Sequence, residues 1–184
     1  GGSADAAEAV VAESKAMGGE AIANGGSVSD RAGAQSMVDD AMNAWGRVDV
    51  LINNAGILRD KSFSKMTLDD FEMVVNVHLM GAAYCSHAVW PIMRAQNYGR
   101  ILMTTSPSGL YGNFGQTNYG AAKMGQVGLM NSKKIEGAKN NIHTNNHAPD
   151  AATRLNTNQT PQGLQQQPGQ EARPPAGTLR TTSR

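Results

Sequence analysis

Cysteine is almost missing from this chain: Cys85 stands alone among 184 residues. One thiol cannot close an internal disulfide, which excludes a disulfide-stapled secreted scaffold and fits a reducing compartment. Charge of one sign is missing too. Sixteen Lys and Arg against fifteen Asp and Glu leave a formal net charge of +1, so nothing in the balance recruits nucleic acid or another polyanion. No apolar run approaches the ~20 residues that span a bilayer, and no secretory signal precedes the first helix. His87, His143 and His147 show no metal-ligand spacing, so no metal site is expected. We therefore expect a soluble, cytoplasmic protein with neither nucleic-acid nor membrane partners. Gly1 stands where an initiator methionine would, which reads as the edge of a fragment.

What is present alternates between two periods. "ADAAEAVVAESKAM" is helical and stops at Gly18 and Gly19, and "EAIAN" reads as a short strand. "SDRAGAQSMVDDAMNAWG" is a second helix, with Ser29 as N-cap and Gly46 just past its end. Val38, Ala41, Met42 and Trp45 fall at helical spacing, which places Trp45 in the core. "RVDVLINNAG" is a buried strand closed by a turn. Thr67 caps a long helix, with Asp70 completing a capping-box pattern, and Pro91 bends that helix without ending it. "GRILMTTS" is the next strand, the loop "SPSGLYGNFG" follows, and a further helix begins near Asn118.

Strands and helices alternating at these lengths mean an α/β fold with a parallel sheet. Ligands in such folds sit at the carboxyl ends of the strands. "NNAG" and "TTSPSG" both occupy that edge, and Tyr119 opens the helix after it. Tyr119 and Lys123 are four apart, on one helical face. A nearby ammonium would favour the phenolate and bring a tyrosine toward general-base range. The same pair on a solvated helix would do nothing, and the pair alone leaves both readings open.

Taken together, "NNAG" at a strand end, Ser106 thirteen residues before Tyr119, and Lys123 four after it resemble the short-chain dehydrogenase/reductase family. "NNAGILRD", "VHLMG", "SGLYGNFGQTNYGAAK" and "EGAKNNIH" are similar to its (3R)-hydroxyacyl-CoA dehydrogenase subgroup, found in peroxisomal multifunctional enzymes and bacterial relatives. The likeness covers roughly residues 4–155. It implies a Rossmann-like doubly wound parallel sheet and NAD-dependent chemistry, with NADP possible, on a small acyl-CoA or other alcohol or ketone substrate of fatty acid metabolism.

By this resemblance, Tyr119 takes the substrate hydroxyl proton as C3 releases hydride. Lys123 lowers the tyrosine pKa and holds the nicotinamide ribose, while Ser106 holds the substrate oxygen. Asn54, Ala55 and Gly56 let the backbone approach the cofactor, and Ser27 and Val28 touch adenine. Gly26 stands where the family carries an acidic residue. His78 replaces an asparagine that holds a relay water, and either relays a proton or is a structural histidine. Asn76, about 200° away on a regular helix, cannot stand in for it. Family members commonly dimerise through the two long helices, so a homodimer is expected.

Two departures accompany the likeness. The family's first two strands and glycine-rich loop are absent, and these would form the centre of the sheet. After "NNIH", Asn145, Asn146 and His147 interrupt the expected strand, as a slipped reading frame near 145 or 156 would do. We expect a partial dehydrogenase domain over 1–150 and a disordered polar tail over 151–184. The terminal "TTSR" is not a peroxisomal "SKL" signal, so peroxisomal location rests on family analogy alone. Alternatives to the NAD enzyme are an NADPH-dependent 3-oxoacyl-thioester reductase and a non-catalytic, dimerising fragment.

Overall fold

In a computed structural model of the chain, residues 4–149 are described. The proposed tail at 151–184 lies outside the described residues. Helix α1 (Ala4–Ala16) ends where expected, with Gly18 in the left-handed region at φ 85°. Helix α2 (Arg31–Trp45) closes on Gly46, whose N–H reaches Met42 O. Its cap corrects the expected one. Asp30, not Ser29, accepts from Gly33 N at 3.0 Å, because a carboxylate suits the positive end of a helix better than a hydroxyl. Ser29 Oγ instead lies 2.9 Å from Ser27 Oγ.

Strands β1 (Val50–Asn53), β2 (Gly99–Thr104) and β3 (Ile142–His147) form a parallel sheet in the order β1-β2-β3. Between β1 and β2 run α3 (Leu68–Val75), a π-helical turn (Asn76–Met80) and α4 (Gly81–Gln96). Thr67 caps α3 by accepting from Asp70 N at 3.1 Å, and α4 continues through Pro91 as expected. The π turn interrupts what the sequence presents as one long helix. The loop after β2 holds a short helix, α5 (Pro107–Tyr111), and α6 (Thr117–Gly137) follows.

Inward residues Leu51, Ile101, Met103 and Ile142 meet Val89 and Met93 of α4 and Leu129 and Met130 of α6, while Val38 of α2 packs from behind. The outward β1 residues, Val50 and Ile52, are 55% and 59% exposed.

Three other expectations need correcting. Segment 20–24 is not a strand: it has no ladder partner, and Asn24 is held instead by Ser36 and Asp40. Trp45 is 41% exposed and donates to Glu20 at 2.7 Å; at the last turn of α2 it lies beyond the core that Val38 and Met42 reach. Asn145, Asn146 and His147 do continue β3, paired with Leu102, Met103 and Thr104. Ladder bonds use backbone groups, so they tolerate Asn145 and His147 on the exposed face and half-buried Asn146 on the face of Ile142 and Thr144.

Candidate active site

The site forms where β2 ends. Thr105 N donates to His147 O at 2.8 Å, which fixes the strand end against β3. Ser106 then caps α5, its Oγ accepting from Ser108 N at 3.2 Å, with Pro107 at the first helical position. Helix α5 lies hard against α6. A Cβ on Gly109 would come within 2.9 Å of Lys123 Cβ, so a glycine is needed for this approach. The contact brings Ser106 within hydrogen-bonding reach of Tyr119.

Tyr119 sits in the first turn of α6, its N–H donating to Asn118 Oδ1 at 2.8 Å. One turn on, Lys123 is 3% exposed, donates to Thr104 O, and places Nζ 5.4 Å from the Tyr119 ring centroid. Burial lowers the Lys123 pKa to about 8, which weakens its charge. The phenol does not move in the expected direction. Burial pushes the Tyr119 pKa above its ordinary value, the Ser106 hydrogen bond pulls it down, and the Asp60 carboxylate pushes it up again.

His78 lies at the centre of the π turn, 3% exposed. Its Nε2 is 2.8 Å from Ile57 O and 3.1 Å from Ile57 N, donating to one or accepting from the other according to tautomer. Its ring meets Tyr119 edge-on, with centroids 5.1 Å apart. Burial first, then the Lys123 charge, lowers the His78 pKa to about 4, so the ring is neutral at physiological pH. Of the two readings open from sequence, this geometry favours a structural histidine. Gly56 complements it: a Cβ there would fall 2.4 Å from His78 Cε1. Asn76 is exposed and lines a separate open pocket with Asp69 and Glu72, as its helical angle implied.

On the β1 side of His78, Val28, Asn54, Ala55 and Gln126 line a cavity of about 90 Å³. The structure thus gathers Ser106 and Lys123 around Tyr119, which meets the His78 ring, and Val28, Asn54 and Ala55 around a cavity that His78 also lines. Ser27 is exposed and paired with Ser29 Oγ, so it stays outside the cavity. Gly26 leaves no room for the acidic residue of the family pattern, since a Cβ would stand 2.8 Å from both Asn24 Oδ1 and Gly33 O. Among the described residues, no group of three His, Cys, Asp or Glu side chains could hold a metal ion. No helix there is long and apolar enough to cross a membrane.

Sequence reasoning missed the amides beside the tyrosine. Asn118, fully buried, donates to Arg59 O at 3.2 Å and Asp70 O at 3.4 Å. Gln116, 6% exposed, donates to Asp60 at 2.7 Å. The available signal was two amides at a helix start, Gln116 as the N-cap residue and Asn118 in the first turn of α6.

Half-buried Tyr119, buried Lys123 and Ser106 thus meet at the carboxyl end of β2 on a Rossmann-like parallel sheet. The family profile of short chain dehydrogenases matches residues 1–163, and the chain belongs to the short-chain dehydrogenase/reductase family of oxidoreductases. It is 50% identical over 159 residues to peroxisomal multifunctional enzyme type 2 of Mus musculus, covering 86% of this chain and 21% of that protein. The full-length structure of peroxisomal multifunctional enzyme type 2 from Drosophila melanogaster aligns with a TM-score of 0.70 at 46% identity. That match covers 81% of this chain and 26% of the fly chain. NAD+-bound xylitol dehydrogenase aligns at 0.77 with 30% identity, covering 80% of this chain and 57% of the other. The chain spans between about a fifth and about a half of the length of the curated relatives it matches.

Proposed function

We propose that this chain carries the proton-transfer half of an enzyme that moves hydride between NAD and C3 of a 3-hydroxyacyl-CoA or similar secondary alcohol. The observation that carries the reading is the convergence of Ser106, Tyr119 and Lys123 behind β2, with Lys123 buried and facing no carboxylate partner in any described ion pair. Such an ammonium keeps donors beyond the one given to Thr104 O, which fits the hydroxyls of a nicotinamide ribose. NAD, when bound, supplies the hydride acceptor or donor. Among the described residues no glycine-rich strand-to-helix turn faces the cavity, so the fit extends to the nicotinamide end and not to the diphosphate.

Within the chain, Ser106 donates toward the substrate oxygen and stabilises charge developing there. Tyr119 exchanges the proton with that oxygen. The phenol, with its pKa raised, is protonated at neutral pH and can give its proton to a 3-oxo group, the step that runs in reverse when a hydroxyl is oxidised. The protonated phenol also suits one second reading: an NADPH-dependent 3-oxoacyl-thioester reductase. A homodimer accords with α6, which leaves Met124 50% and Ile135 79% exposed. A peroxisomal location belongs with this reading through the names of the relatives, and a cytoplasmic one through the composition.

The test is an NADH and NADPH titration followed by intrinsic fluorescence, with Lys123→Ala as control. Saturable binding that the substitution weakens tenfold or more, about 1.4 kcal/mol, is the expected result. Binding unaffected by the substitution, or none in a folded chain, would overturn the reading and leave a non-catalytic module.

A further inference from the structure

Segment 57–61 crosses the site as a strap and is tied down along its length. His78 Nε2 meets the backbone of Ile57, Asn118 Nδ2 donates to Arg59 O, and Gln116 Nε2 donates to Asp60 Oδ2 at 2.7 Å. Lys61 N donates to Gly115 O at 3.0 Å, and Lys61 Nζ reaches Asp70 at 2.9 Å. The first three ties come from side chains that are at least nine-tenths buried. Asn118 has a double part, since its Oδ1 also accepts from Tyr119 N. One amide therefore joins the strap, the first turn of α3 through Asp70 O, and the tyrosine backbone. Gln116 sets the Asp60 carboxylate beside the turn that carries the phenol.

We propose that Asn118 and Gln116 form a clamp that makes Asp60 a positioning residue for Tyr119, holding a negative charge where it shapes the phenol's surroundings. The proposal rests on the reading of Tyr119 as the proton-transfer group. Around that phenol, α6 presents Lys123, the π turn presents His78, α5 begins with the Ser106 hydroxyl, and the strap presents Asp60. Asp60 is the anion of this set. Arg59 and Lys61 flank it in sequence but face Asp70, at 3.8 and 2.9 Å. A carboxylate held near a phenol opposes formation of a second negative charge, and Ser106 works in the other direction. The clamp thus biases the site toward a protonated tyrosine, poised to give a proton to a carbonyl oxygen.

The experiment reads Tyr119 itself, without turnover. The full chain, labelled at tyrosine Cζ, is titrated by NMR, with Tyr119→Phe assigning the resonance. Asp60→Asn removes the charge at constant shape, and should lower the Tyr119 midpoint by about half a pH unit or more. Asn118→Ser keeps an acceptor for Tyr119 N and loses the donors to the strap. It should lower the midpoint similarly and speed hydrogen exchange at the Lys61 amide. In the Asp60→Asn background, Asn118→Ser should shift the midpoint no further, because the charge it releases is gone. A merely structural amide would shift it in both backgrounds, and that result overturns the proposal. An unchanged midpoint in either single variant also overturns it. Should Asn118→Ser fail to fold, Gln116→Ala, which loses the bond to Asp60, carries the same comparison. A chain that binds no cofactor but shows these shifts would sink the enzyme reading and leave the clamp standing.

Discussion

Strands β1 and β2 are neighbours in one sheet, and their sequences, "VLIN" and "GRILMT", are similarly apolar. Their surroundings differ. β2 is paired on both sides, and its residues alternate between buried and half-buried. β1 is paired on one side, and Val50 and Ile52 are exposed. A continuous apolar run is the composition of a strand covered on both faces. β1 thus carries side chains suited to more burial than the described residues provide, whereas β2 has the cover its composition implies. The same division runs through the site. The side of Ser106, Tyr119 and Lys123, backed by β2, α5 and the strap, is packed closely enough that single atoms matter. The side toward Val28 and Asn54 opens into a cavity.

The largest expected effect lies in the covered half. Met93→Ala, at a fully buried position under β2, should cost about 2–5 kcal/mol in urea unfolding. A loss below 1 kcal/mol would mean this core is looser than its packing implies. Next comes the His78 contact. Gly56→Ala should destabilise by about 1–3 kcal/mol, because the new methyl meets the imidazole. Combining it with His78→Ala should recover part of that loss, and strict additivity in the double-mutant cycle would separate the two positions.

A third effect tests the helix layer between the two halves. Lys133 on α6 donates to Ser86 Oγ at 2.6 Å, and burial lowers its pKa to about 8. The unfolded chain, near the ordinary lysine value of 10.5, then binds this proton more tightly than the native state. Its contribution to stability is therefore lost as pH falls through about 8 and present above about 10.5, so stability rises with pH across that window. Lys133→Met should flatten the rise in urea midpoint between those pH values; an unchanged slope would place the proton elsewhere, with Lys123 the next group to test. The smallest effect belongs to the open edge. Ile52→Thr should change stability by within about 0.5 kcal/mol, and a core-sized loss would show that β1 is covered in solution.

Much of this was legible from the residues. The helix stops at Gly18 and Gly46, the cap at Thr67 and the strands at "VLIN" and "GRILMT" follow from local chemistry, which acts over a few positions. The Ser106, Tyr119 and Lys123 cluster followed from the resemblance to the short-chain dehydrogenase pattern, on the edge where parallel folds place ligands. What failed depended on distant partners. The segment at 20–24 has strand composition but no ladder, and Trp45 has the right period but sits one turn too far along. "TNNH" looked unfit for a strand, because side-chain polarity was read where backbone pairing with β2 decides. The direction of the Tyr119 pKa escaped for the same reason. Lys123 is four residues away and visible, while Asp60 and the burial arrive from elsewhere in the chain.

The π turn at Asn76–Met80 has a further meaning as a matter of register. A π turn holds one residue more than the α-helical repeat allows, marked here by Gly81 N bonding Asn76 O five positions back. Each residue of a helix turns the chain by about 100°, so the extra one sets the azimuth of all of α4 relative to α3. Removing one residue from this turn would leave a regular helix of the same composition, yet would swing Val89 and Met93 away from the sheet or His78 away from Ile57. The turn behaves as a recorded insertion: a single added residue that lets one continuous rod serve the core at one end and the site at the other.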